Sequence, residues 1–207
     1  MTKADLVRYR IDGIDLAVKD YRPRPFLVRN LLGRLAIRRE AAAYRAAAGL
    51  AGLARYHGRP DAFSIALGWL PGAPLSELPA GRADVEEVFG RLEAIVARLH
   101  ERGIAIGDLH HRDVLVSEDG AAHVVDLATS VVLGDSPGIL RRTLFERLRD
   151  QDRIALARMR ARHTGRDEEA AIAAVGPRAA ARYFRWRRLR RAWDALRGRR
   201  RERGAGA

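Results

Sequence analysis

Three acidic residues stand close together in one stretch of the chain. Asp108 and Asp113 lie in the run Gly107-Asp108-Leu109-His110-His111-Arg112-Asp113, and Asp126 follows at the end of Val124-Val125-Asp126. Between Asp113 and Asp126 come two apolar runs, Val114 to Val116 and Ala122 to Val125, separated by the turn Glu118-Asp119-Gly120, which is the pattern of a β-hairpin. A hairpin brings its two ends together, so an acid just before the first strand and one just after the second become neighbours. Converging carboxylates repel unless a cation sits between them, and oxygen-only ligation favours Mg2+. Asp108 is left free to face a substrate hydroxyl. A fourth group stands out by rarity: Lys occurs only at positions 3 and 19, so Lys19 is the single lysine in the body of an Arg-rich chain. Its retention points to a place where a compact ammonium is wanted rather than a planar guanidinium.

The elements that must position these groups follow from local pattern. Leu6 to Arg10 and Ile14 to Asp20 alternate apolar and polar residues around Asp12-Gly13, predicting an antiparallel hairpin with Lys19 near the end of its second strand. After Pro23 and Pro25, the Ala/Leu/Arg-rich stretch from about Leu31 to Ala48, closed by Gly49, predicts a helix with Glu40 in its middle. Leu53 to Tyr56 and Phe63 to Trp69 read as further strands, and Pro71-Gly72-Ala73-Pro74 as a hinge. Ala83 to Arg102 carries Val85, Val88, Phe89, Leu92, Ile95, Val96 and Leu99 at amphipathic-helix spacing and stops at Gly103. Leu140 to His163 and Ala179 to about Arg200 complete a helical C-terminal half, broken at Gly176-Pro177.

The run from Gly107 to Asp113, the hairpin and Asp126 together resemble the catalytic loop and metal-binding Asp of the protein-kinase-like superfamily. The likeness is to the short bacterial forms, the RIO-like kinases and the lipopolysaccharide core (Kdo and heptose) kinases, which read Gly-Asp-Leu-His in this loop. The resemblance implies a two-lobed α+β fold, with a small antiparallel sheet and one helix in the N-terminal lobe and an abbreviated, mainly helical second lobe. It implies ATP and Mg2+ as cofactors and γ-phosphoryl transfer to a hydroxyl. Carried over by position, Asp108 handles the acceptor hydroxyl while Asp113 and Asp126 bind Mg2+. Ala17-Val18-Lys19 resembles the strand lysine that pairs with the nucleotide phosphates, and Glu40 its helical ion-pair partner. Phe63 to Leu75 resembles the strand and linker receiving adenine, with Trp69 beside it, and Asp152 resembles the helix Asp that braces the catalytic loop. The implied division is a nucleotide-binding lobe over residues 1–70, a catalytic lobe over 71–165 and a basic helical extension over 166–207. Departures from the family pattern are Asp113 in place of Asn, Asp126-Leu127-Ala128 in place of Asp-Phe-Gly, and a single glycine, Gly13, in the turn expected to cover the phosphates. A pseudokinase or a membrane-associated scaffold without turnover is therefore the alternative.

A chain of 207 residues, 47% hydrophobic, can bury a core. The absence of Cys removes disulfides and thiolate chemistry, and no apolar run spans a bilayer, so a cytoplasmic protein is expected. Adjacent residues point apart on extended chain, so His110 and His111 do not make one metal site, and His110 is expected to be structural. His57, His100, His123 and His163 read as isolated. The net charge of +13 calls for an anionic partner. Arg178 to Arg203 interleaves Arg with Trp186, Leu189, Trp193 and Leu196 at helical spacing. That pattern suits either an anionic membrane surface at the inner face of the membrane or a final helix packed on the second lobe; no recognised motif supports nucleic acid. The acceptor is expected to be a glycolipid or sugar hydroxyl, with a protein Ser or Thr next.

Overall fold

The computed structural model describes residues 3–79 and 84–204, the side chains of residue 192 and of 194–204 excepted. The chain begins with an antiparallel hairpin, β1 (Asp5–Ile11) and β2 (Ile14–Asp20), in which Lys19 sits opposite Leu6 and Ile11 opposite Ile14. Asp12 and Gly13 turn the chain with φ of 50° and 78°, the two positive angles that a tight type I′ connection demands. β3 (Tyr56–Gly58) and β4 (Ser64–Gly68) complete a four-stranded sheet in the order β1-β2-β4-β3, with Lys19 paired to Ile65 on the other side. The expected strand over Leu53 to Tyr56 is thus displaced: Leu53 makes only an isolated bridge to Val124, because its backbone is drawn to the distant hairpin rather than to the sheet.

A π-helical turn, Val28–Gly33, leads into α1 (Arg34–Ala46). Phe26 and Leu27 are already helical, so the helical segment starts five residues earlier and ends two residues earlier than the expected Leu31 to Ala48. α1 buries Ile37, Glu40, Ala41 and Tyr44, a stripe at helical spacing that lies against the sheet. Glu40 is the one charged member of that stripe.

β5 (Ala73–Pro74) joins β7 (Val114–Val116) and β8 (Ala122–Val124) in a three-stranded sheet. Gly72 takes φ 128°, and a Cβ there would lie 2.7 Å from the Val116 carbonyl oxygen, so the hinge is seated directly on the hairpin. α2 (Val85–Glu101) buries Val88, Phe89, Leu92, Ile95, Val96 and Leu99 as its periodicity predicts; Ala83, in the expected first turn, lies outside the described residues. β6 (Ile104–Ala105) pairs with β9 (Val131–Val132), closing the loop that carries the acids. α3 (Ile139–Thr164) follows, then α4 (Glu168–Val175), which local pattern did not single out, and α5 (Pro177–Gly204). One apolar core runs from Ile37 and Tyr44 through α2 and the hairpin to Met159. A second, smaller cluster joins Ile154 of α3 to Ile172, Ala179 and Ala180, fixing the start of α5.

Candidate functional site: a lysine and three carboxylates beneath the sheet

The Lys19 ammonium lies 2.5 Å from Glu40 Oε1 and 3.3 Å from Asp126 Oδ1. It also donates to the Val125 carbonyl oxygen at 3.4 Å, which the Tyr44 hydroxyl meets from α1 at 3.1 Å. Three elements far apart in sequence, β2, α1 and the residues after β8, thus converge on one cation. The Glu40 side chain is 2% exposed and Lys19 17%, whereas Asp126 is 46% exposed, so the pair is anchored on its buried side and open on the other. Burial, the largest single influence on Lys19, opposes its charge, but Glu40 and Asp126 together outweigh it and hold the ammonium above its ordinary pKa. Burial raises the Tyr44 phenol well above its usual value, so it stays a neutral donor.

Asp113 and Asp126 emerge from the two ends of the β7–β8 hairpin, and the Val125 N–H donates to the Asp113 carbonyl oxygen at 3.0 Å. The Asp113 carboxylate accepts from the His110 N–H at 3.2 Å, and Asp126 Oδ1 accepts from the Ala128 N–H at 3.0 Å. Burial, reinforced by the negative charge of Asp126, lifts Asp113 above the usual carboxylate range. Asp113 and Asp126 could hold a hard divalent cation, which would offset this repulsion; Mg2+ characteristically takes one or two carboxylates together with phosphate oxygens and water. Among the described residues there is no cluster of three or more His, Cys, Asp or Glu side chains that could hold a metal ion.

Asp108 is exposed, with His110 Nε2 at 3.0 Å from its Oδ1. His110 therefore touches the acid rather than serving only to shape the loop. Beneath it, Asp152 is 0% exposed and gathers three donors: the Ile106 N–H at 2.8 Å, the Gly107 N–H at 2.7 Å and His100 Nε2 at 2.9 Å. Asp152 braces the loop as the resemblance implies. His100, read as isolated, is the part that sequence reasoning missed. Its signal was position, four residues after Val96 and eight after Leu92 on the buried face of α2.

Trp69 lies just beyond the end of β4, away from Lys19. Its backbone N–H donates to the Asp15 backbone carbonyl oxygen at 2.9 Å, which sets it in register with Asp15 and on the same sheet face as Ala17 and Lys19. The residue is 37% exposed, and the Arg8 guanidinium stacks 4.7 Å from its ring centroid while Asp15 holds Arg8 and Arg10, each at 3.1 Å. Trp69 is thus packed under a cation, four strand residues or about 13 Å from the level of Lys19. One expectation is overturned. The turn containing Gly13 is at the far end of the hairpin from Lys19, six strand residues or about 20 Å away, because Lys19 pairs with Leu6 at the beginning of β1. That turn cannot cover phosphates held by Lys19.

No family model matches the chain, and none of the curated proteins does. Solved structures do match, and with the geometry above they define the class: a protein-kinase-like fold. One similar structure is the Rio2 kinase–ADP/Mg2+–phosphoaspartate complex from Chaetomium thermophilum. It has 17% sequence identity and a TM-score of 0.59 over 86% of this chain, and the chain spans 65% of that structure's length.

Proposed function

We propose that this protein is an ATP-dependent phosphotransferase that moves the γ-phosphoryl group to a hydroxyl acceptor. The observation that carries the reading is the Lys19 ammonium gripped between Glu40 at 2.5 Å and Asp126 at 3.3 Å, beside a second carboxyl that burial holds above its usual pKa. In this reading Lys19 neutralises nucleotide phosphate charge, Glu40 fixes its position, and Asp113 with Asp126 hold Mg2+. The ion, when bound, would supply charge neutralisation to the phosphoryl oxygens. Asp108 orients the acceptor hydroxyl and takes its proton, with His110 holding the carboxylate. Trp69 and the hinge after it receive the base. The work is positioning and electrostatics, as in other phosphoryl transfers.

The acceptor proposed is a glycolipid or sugar hydroxyl at the inner face of a membrane, with a protein Ser or Thr as the next candidate. Support comes from exposed apolar residues set among arginines. Phe26, Leu27, Leu31, Leu32 and Leu35 are exposed in a stretch where Tyr21 to Arg39 holds six arginines and no acid. On α5, Trp186, Leu189 and Trp193 are exposed beyond the packed first turns; the Leu196 side chain lies outside the described residues. Thermal melting with ATP, with and without Mg2+, tests the reading. A metal-dependent upward shift is expected in the unmodified chain and in Asp108→Ala, and no such shift in Asp126→Ala. Radiolabelled phosphate should enter lysate lipid or protein with the unmodified chain and not with Asp108→Ala. Equal transfer by Asp108→Ala sinks the mechanism, and nucleotide binding without transfer leaves the scaffold alternative.

A further inference from the structure

Asp108 opens onto a solvent-open cavity of about 1060 Å³ lined by the loop from Asp108 to Arg112, α3 and α5. Its walls carry eight arginines and two carboxylates, Asp108 and Asp150. Those arginines come from all three elements: Arg112 from the loop, Arg147, Arg158 and Arg162 from α3, and the rest from α5. Some are answered by acids. Arg182 pairs with Asp150, Arg158 and Arg162 share Glu168 at 2.5 and 2.9 Å, and Arg187 meets Glu169 at 3.0 Å. Arg112, Arg147 and Arg191 are exposed and have no acidic partner among the described residues.

An Arg-rich composition places arginines on every surface, but it does not aim them from three elements into one cavity. Like charges brought together in a concave site focus a positive potential, and that arrangement destabilises the fold unless an anion offsets it. The field is felt inside: His111, in the same wall, is pushed below its ordinary pKa by burial first and then by Arg162. Guanidinium groups recognise phosphate through paired, charge-assisted hydrogen bonds. Tyr183 and Trp186 supply apolar faces in the same cavity, suited to the carbon skeleton of the ligand. Small-ligand sites run to about 1,000 Å³, and this one falls in that class.

From this convergence we infer that the acceptor is a small polyhydroxyl compound already carrying at least two phosphate groups, seated against the arginine wall with a free hydroxyl at Asp108. The placement of that hydroxyl rests on the phosphotransferase reading, whereas the anion site stands on the cavity alone. In the transfer step the bond from the γ-phosphorus to the bridging oxygen of ATP breaks and a bond from that phosphorus to the acceptor oxygen forms. The hydroxyl proton passes to the Asp108 carboxylate and ADP leaves.

The test is calorimetric titration of the full chain without nucleotide, so that binding is read apart from catalysis. The ligands are fructose 1,6-bisphosphate, unphosphorylated fructose, vesicles containing a diphosphorylated disaccharide glycolipid, phosphatidylcholine vesicles and a single-stranded RNA decamer. Expected is binding of the bisphosphate or of the glycolipid vesicles, weakened at least tenfold in Arg147→Glu and in Arg191→Glu and less than twofold in Arg98→Glu, an exposed α2 residue outside the cavity. Quenching of tryptophan emission by the bisphosphate, lost in Trp186→Phe, keeps the test valid should a charge-reversal variant fail to fold. Binding of the soluble bisphosphate identifies a sugar phosphate, and binding of the glycolipid alone identifies its headgroup. Binding of neither, RNA binding tighter than both, or affinity unchanged from that of the unmodified chain in both arginine variants overturns the inference. Transfer to an uncharged sugar without bisphosphate binding would overturn it while leaving the phosphotransferase reading intact.

Discussion

Replacing Lys19 with Met keeps the length of the side chain and removes its charge, which strands Glu40. That carboxyl is 2% exposed and Lys19 is its nearest ion-pair partner at 2.5 Å. Breaking one side of a buried pair destabilises by about 3–5 kcal/mol, because the remaining charge keeps its desolvation cost without its compensation. At about 2–4 °C per kcal/mol for a chain of this size, melting should fall by roughly 6–20 °C at pH 8. The loss should shrink with acid. Burial already lifts Glu40 above the usual carboxylate range, the Asp126 charge lifts it further, and Lys19 is the main influence pulling it down. Without Lys19 the folded protein binds a proton more tightly than the unfolded chain. The contribution of Glu40 is then fully present below its unfolded pKa and fades as pH rises through its folded one. Urea unfolding of Lys19→Met from pH 5 to pH 8 should show stability decreasing with pH, and Lys19→Met/Glu40→Gln should recover most of the deficit and remove the slope. A Lys19→Met protein within about 0.5 kcal/mol of the unmodified chain at pH 8, the ordinary scatter for a surface substitution, would refute the reasoning.

Other consequences can be checked alongside. Asp152→Ala orphans two buried backbone N–H groups and His100, so at about 1–3 kcal/mol per unsatisfied donor it should unfold at clearly lower urea, with Asp152→Asn in between; unchanged midpoints would show that the brace does not matter. Asp113, raised by burial and by Asp126, should make the metal-free protein lose stability as pH rises through its folded pKa, and Asp113→Asn should flatten that part of the pH profile seen by thermal melting. Gly72→Ala combines φ 128° with a Cβ contact of 2.7 Å to the Val116 carbonyl, so chemical denaturation should show a loss of about 1–3 kcal/mol.

Much of this molecule could be read from local pattern. The Asp12-Gly13 turn, the apolar stripe of α2 and the hairpin between Asp113 and Asp126 depend on neighbours two to four residues apart, and each formed where its pattern lies. β5, β6 and β9 were not legible, since each is two residues long and exists only through hydrogen bonds to a strand far away in the chain. The same reason shifted the strand expected over Leu53 to Tyr56 onward to Tyr56–Gly58 and concealed the bond from His100 to Asp152 across 52 residues.

The sequence alone therefore determined residue chemistry and local geometry: a lone lysine on a strand, an acid on a helix, and two acids at the ends of one hairpin. Tertiary structure decided which groups meet. It set Lys19 between Glu40 and Asp126, placed the Gly13 turn at the far end of the hairpin from Lys19, stacked Arg8 on Trp69, and gathered arginines from three elements beside Asp108. Those meetings depend on register and on packing of a shared core, which are properties of the whole chain and of no single segment.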